Sequence, residues 1–262
     1  MLSARRRGKN GNKRVGEMSL REPKQAWERF RRAYLSGHAP AGQDRYRAVF
    51  QAAVNIYREL HDLPPFRIKA IPFDNERVRF LTKDDRDRLI AAYASHIQPV
   101  IIMLAFHGPR IQTALQLPWG VKGVDMEREA ILLNHTKNAM IQSVPMHPRV
   151  KEVLLPIWEK RGKPMNGHVF LNRFGEPYKD TRLGTIPGSN PLKTQHKTAC
   201  KRAAIDDFTV HDWRHHWASH CVMASIDLIT IMHMGGWKSL KTVQRYASVG
   251  TGHMRESINR LN

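Results

Sequence analysis

The 36 residues from His211 to Tyr246 constrain this chain more than any other stretch. His211-Asp212-Trp213-Arg214-His215-His216 opens the block, Met234-Gly235-Gly236-Trp237-Lys238-Ser239 follows, and Gln244-Arg245-Tyr246 closes it. Arg214 and Trp237 are 23 residues apart, and Trp237 and Tyr246 nine. Apolar spacing predicts helices over 211–223, 227–234 and 239–247, with Gly235-Gly236 as a break between the last two. His211 and Arg214, three apart on a helix, share a face and can converge on one ligand.

Charge says what that ligand is. Forty-three Lys and Arg against 23 Asp and Glu give a formal charge of +20. Self-repulsion on that scale calls for a polyanion, with nucleic acid as the expected partner. An anionic membrane surface would need a basic amphipathic helix with a continuous apolar face. No apolar run approaches the length of a membrane span, and the basic first residues lack the apolar core of a secretory signal. Two cysteines, Cys200 and Cys221, are too few for a disulfide framework. The chain reads as cytoplasmic and DNA-associated.

The rest of the chain divides by composition. Residues 1–19 form a basic tail with Arg5, Arg6, Arg7, Lys9, Lys13 and Arg14, all candidate phosphate contacts. Residues 20–62 form a helical DNA-binding region with two helices, 24–34 and 43–61. The first carries Trp27, Phe30 and Tyr34, and the second lines up Tyr46, Phe50, Val54 and Tyr57. Residues 63–78, with Pro64, Pro65 and Pro72, read as a linker, and 79–262 as the catalytic domain. Thr82-Lys83-Asp84-Asp85 looks like a capping box. The apolar run 100–106 reads as a buried helix continuing into Ile111 and Leu115. Strands 130–133 and 141–144 form a hairpin, helices span 147–160 and 191–204, and one short strand fits 168–171. The fold class is mainly α with a small antiparallel β-sheet.

The histidine pairs His211/His215 and His216/His220 have the i, i+4 spacing that holds zinc. No glutamate stands between either pair and no third ligand is spaced for it, so they read as ordinary helix residues. No cofactor is expected.

The block from His211 to Tyr246 resembles the C-terminal signature of the tyrosine recombinases, the phage integrase family: His-x-x-Arg-His, then a glycine-His/Trp segment, then a tyrosine. The family's first box is matched upstream by Gly108-Pro109-Arg110, with Pro118-Trp119 where its final tryptophan is expected. His107 stands where threonine is usual, and Thr113 where an acid normally steadies the arginine cluster. The resemblance implies DNA strand cleavage and rejoining through a covalent 3′-phosphotyrosyl intermediate, without metal or ATP. It implies Tyr246 as nucleophile, Arg110 and Arg214 as phosphate clamps, and His211 as base or hydrogen-bond partner. Lys137, in the hairpin turn, would protonate the leaving 5′ oxygen, and Trp237 would donate one hydrogen bond to phosphate and pack. Taken alone, Arg110 and Lys137 are unremarkable surface residues; the resemblance gives them roles.

The implied partner is double-stranded DNA, gripped by a homotetramer that forms a Holliday junction, with accessory directionality factors and a phage or mobile-element origin. Relatives carry about four helices in the N-terminal DNA-binding domain, so two suggest a shortened form, or a grip supplied by the basic tail. Two other readings stay open on the sequence alone. One is a type IB topoisomerase-like activity, and the other is a catalytically idle DNA-binding remnant.

Overall fold

The computed structural model describes residues 22–73, 78–134, 141–181 and 190–247. The chain divides into two compact units between Glu76 and Arg77.

The first unit holds α1 (Pro23–Tyr34) and α2 (Pro40–Glu59). Each opens with proline in its first turn, where the missing N–H costs nothing. Trp27, Leu35, Phe50 and Val54 pack into a small core, with Trp27 and Phe50 ring centroids 5.7 Å apart. Beyond α2 the backbone is irregular but tied down. Phe66, Ile68 and Ile71 donate backbone N–H groups to Asn55, Gln51 and Asp44 on α2, at 2.8, 2.8 and 2.9 Å. Residues 66–71, part of the expected linker 63–78, are thus hydrogen-bonded along the second helix.

The second unit is built around α4 (Gln98–His107), whose residues Val100 to Ala105 are all buried. A helix apolar on every side must be enclosed by neighbours. Here α3 (Lys83–Ala92), α5 (Ile111–Leu115), α6 (Pro148–Lys160) and α8 (Asp212–Met223) pack on it. Each fully buried Leu or Ile side chain contributes about 1.5–3 kcal/mol. Thr82 caps α3 by accepting from the Asp85 N–H at 3.1 Å, while the Asp85 carboxylate binds Arg88 instead of closing a reciprocal box.

The apolar run does not continue unbroken into Leu115. It stops at Gly108, which turns left-handed (φ 61°), and α5 begins after Arg110. A Cβ on Gly108 would overlap the Trp217 ring, so both conformation and space demand glycine there.

The sheet has three antiparallel strands in the order β1 (Val124–Asp125), β2 (Ala130–Asn134) and β3 (Ile141–Pro145). The hairpin is as expected, and β1 is additional. The strand expected at 168–171 is absent as a strand: His168 and Leu171 make only isolated bridges, to Pro118 and Pro177. Proline has no N–H with which to extend a ladder. Helices α7 (Lys193–Arg202), α8, α9 (Leu228–Gly235) and α10 (Leu240–Gln244) complete the unit. Among the described residues, no helix is long and apolar enough to cross a membrane.

Candidate active site

Arg214 lies on the buried side of α8, 4% exposed, with no carboxylate among the described residues within ion-pairing distance. Backbone carbonyls hold it instead. Its Nη1 donates to the Gly108 oxygen at 2.7 Å and its Nη2 to the Gly235 oxygen at 2.6 Å. The guanidinium also stacks on Trp237, 3.8 Å from the ring centroid. Gly235 is needed for this packing, since a Cβ there would overlap the Trp237 ring. Trp217 stacks nearly parallel to Trp237, 15° between planes and 5.9 Å between centroids.

Burial, then the nearby Arg110 charge, push the Arg214 pKa down to about 9, with Tyr246 opposing. Even so the guanidinium keeps its charge at neutral pH. A desolvated cation is expensive unless paired, so an anion placed here would lower that cost. Among the described residues, carbonyls engage two of its five N–H donors.

Arg110 is exposed and occupies the N-cap position of α5. His211 is exposed at the N-cap of α8. Desolvation by the surrounding protein, then Arg214 and more weakly Arg110, lower the His211 pKa, with Asp212 opposing, which favours the neutral imidazole. These electrostatic couplings bring Arg110, His211 and Arg214 into one cluster.

Tyr246 lies just past Arg245, the C-cap of α10, and is 2% exposed. Its ring centroid is 6.0 Å from that of Trp237. Burial raises its pKa, while Arg214 and then Arg245 act to lower it. Its hydroxyl lies 2.7 Å from His215 Nδ1, a partner that the motif by itself does not indicate. The one available signal is general: a buried tyrosine hydroxyl usually finds a hydrogen-bond partner, and the histidine beside Arg214 is a polar residue near at hand.

Five of the six candidate catalytic residues therefore converge. Lys137 lies outside the described residues, as do Arg5, Arg6, Arg7, Lys9, Lys13 and Arg14. The remaining histidines of α8 are structural. His216 Nδ1 accepts from the Leu81 N–H at 3.2 Å, and His220 Nε2 donates to the Leu81 oxygen at 2.9 Å. Among the described residues no cluster of three or more His, Cys, Asp or Glu could hold a metal ion.

The model of the phage integrase family matches residues 79–253, a span containing every residue of this cluster. The chain belongs to the phage integrase family. The integrase of Salmonella phage P22 is 25% identical over 224 residues, covering 82% of this chain and 55% of that protein. Tyrosine recombinase XerA of Pyrococcus horikoshii is 21% identical over 182 residues, covering 69% and 60%. This integrase-family chain spans 55% to 65% of the length of the curated relatives it matches.

Among solved structures, XerH recombinase bound to difH DNA after cleavage has a TM-score of 0.66 at 16% identity, covering 94% of this chain and 73% of that one. The Tn1549 transposon integrase in complex with transposon right end DNA also gives 0.66 at 16%, covering 97% and 89%. These likenesses establish the fold, mainly α with a small antiparallel sheet.

Two departures from the family pattern have structural answers in this integrase-family chain. His107, in the place of threonine, accepts the His147 N–H at 3.0 Å and so ties the end of α4 to the start of α6. Thr113, in the place of an acid, is buried at 7%. Arg214 has the two glycine carbonyls and the indole face where a carboxylate would otherwise act.

Proposed function

We propose that this chain is a site-specific DNA recombinase of integrase type. Tyr246 attacks the scissile phosphorus, a 3′-phosphotyrosyl bond forms, and the 5′ oxygen leaves as a hydroxyl. The reverse attack by a 5′ hydroxyl of a partner strand reseals the backbone and frees the tyrosine. Because the phosphotyrosyl bond conserves the energy of the phosphodiester, rejoining needs no ATP. Arg110 and Arg214 clamp the non-bridging oxygens, where fixed donors stabilise the charge that develops. Arginine suits the task because its planar fork offers paired donors and holds its charge. His211 is the hydrogen-bond partner or base near the attacking oxygen, and Lys137 delivers the proton to the leaving oxygen. Trp237 braces Arg214 and can offer its indole N–H to phosphate. No metal is required, since cationic side chains occupy the roles a metal would fill.

The observation that carries this reading is Arg214: a buried cation beside Tyr246, held by carbonyls and, among the described residues, without a carboxylate partner. A phosphodiester supplies the missing negative charge. The partner is double-stranded DNA, with four copies of the chain assembling on two duplexes around a Holliday junction and directionality factors biasing the outcome.

A nicked suicide duplex carrying the cognate site tests it. The cut fragment diffuses away, and the covalent protein–DNA adduct accumulates. Wild type should form the adduct, and Tyr246→Phe should form none while binding the duplex nearly as well. An adduct that persists in the phenylalanine variant removes Tyr246 from its role.

A further inference from the structure

Tyr246 is turned inward in this structure. It is 2% exposed, its backbone N–H is tied to the Val243 oxygen at 2.9 Å, and its hydroxyl faces His215 Nδ1 at 2.7 Å. A phenol has one proton to donate, and Nδ1 is the acceptor within reach of it among the described residues. We infer that His215 is a positioning residue that holds the Tyr246 hydroxyl in a closed resting arrangement, from which it must be released before it can attack. The inference rests on Tyr246 being the nucleophile.

The alternative role for His215, as the base that takes the tyrosine proton, is disfavoured by its surroundings. Protonating it would place a cation in a desolvated position beside His211, Arg245 and Arg214, with only Asp212 in favour, and its pKa is accordingly pushed down to about 4. The two imidazoles stand edge-to-face, their centroids 5.2 Å apart. A neutral imidazole that accepts from a phenol stabilises the protonated phenol. His215 therefore keeps Tyr246 uncharged and inward. The pull toward phenolate comes from Arg214 and then Arg245, and in this closed arrangement burial outweighs it. The hold is a single neutral hydrogen bond, strong enough to bias the resting state and weak enough for substrate binding to overcome.

Two substitutions separate the hydrogen bond from the space the ring fills. His215→Phe keeps an aromatic ring but removes the acceptor. His215→Asn places an amide oxygen close to where Nδ1 was. The first readout uses the full chain without DNA: a short pulse of a tyrosine-selective triazolinedione, with labelling of the Tyr246 peptide read by mass spectrometry against Tyr34, which is 44% exposed. In wild type, Tyr246 should label far more slowly than Tyr34. His215→Phe should label Tyr246 about fivefold faster than wild type, the factor one hydrogen bond provides, and His215→Asn should return toward wild type. The second readout is single-turnover adduct formation on the suicide duplex at saturating protein. There His215→Phe should be several-fold faster than wild type with an unchanged dissociation constant.

Equal labelling of Tyr246 and Tyr34 in wild type overturns the inference, as does equal labelling of Tyr246 in wild type and His215→Phe. Slower adduct formation by more than tenfold in a His215→Phe protein that melts normally also overturns it, and makes His215 a participant in cleavage. Where His215→Phe does not fold, His215→Leu takes its place with the same expected signs. An adduct formed by Tyr246→Phe strikes the nucleophile assignment instead, which keeps the two failures apart.

Discussion

Arg214→Lys is the most informative single change, because it keeps the charge and removes the geometry. Arginine bridges two carbonyls, Gly108 and Gly235, from two separate nitrogens and lays its flat face on Trp237. A lysine ammonium can reach one of those carbonyls and has no planar face to stack. A hydrogen bond from a charged donor contributes about 1.5–3 kcal/mol, and a desolvated cation–π interaction about 2 kcal/mol or more. Removing one of the first and much of the second should destabilise the catalytic unit by about 2–4 kcal/mol. For a unit of this size that lowers the melting temperature by roughly 5–15 °C. The chemical effect should be larger, since removing a preorganised donor from a developing charge costs about a hundred- to a thousandfold in rate. Thermal melts supply the first number. Single-turnover adduct formation on a suicide duplex, at saturating protein and below the variant's melting range, supplies the second. A lysine variant that melts with wild type and cleaves within about threefold of it would refute the bidentate role for this arginine.

Acid should destabilise the fold before carboxylates matter. His107 and His216 are buried, and burial holds their pKa values down to about 4 and about 2. In the unfolded chain both take up protons below about pH 6.5, so their contribution is whole above that pH and declines as the pH falls toward the folded values. Each should forfeit about 2 kcal/mol by pH 5, and a melting temperature unchanged between pH 7.5 and 5 would contradict the burial. Deleting residues 1–16 removes Arg5, Arg6, Arg7, Lys9, Lys13 and Arg14. Every phosphate that the tail neutralises adds about 0.9 to the salt slope of duplex binding, so the truncated chain should show a shallower slope with little change in sequence preference. A slope identical with and without the tail would mean that the tail touches no phosphates.

Much of this architecture was legible because periodicity and punctuation agreed. Buried Val100 to Ala105, capped α3 and the hairpin all follow from local signals. The misses share a cause, which is pairing across distance. Strand β1 is two residues long and is defined by its partner β2, while Asp125 accepts the Glu127 and Arg128 N–H groups at 3.1 and 3.0 Å to turn the chain. No periodicity exists over two residues. The stretch 168–171 has strand-like composition, yet its partners are prolines. The same limit hid His215. Its place beside Arg214 in the sequence says nothing of the Tyr246 hydroxyl 31 positions away, which only the packing of α10 against α9 brings near.

How Arg214 can be held rigid and still keep its unit charge follows from where its two carbonyls come from. Gly108 is the C-cap of α4, and Gly235 is the last residue of α9. Both oxygens belong to helix C-termini, where unsatisfied carbonyls carry the negative end of the helix dipole. Two partial charges orient the guanidinium without cancelling its unit charge, as a carboxylate at the Thr113 position would come closer to doing. This arrangement also explains the glycines. The left-handed turn that ends α4 exposes the Gly108 oxygen, and Trp217 fills the space a Cβ would need. The absence of a side chain at Gly235 lets Trp237 fold back under the arginine. The interactions that close α4 and α9 onto α8 are therefore the same ones that aim the charge, so substituting either glycine should damage fold and phosphate recognition together.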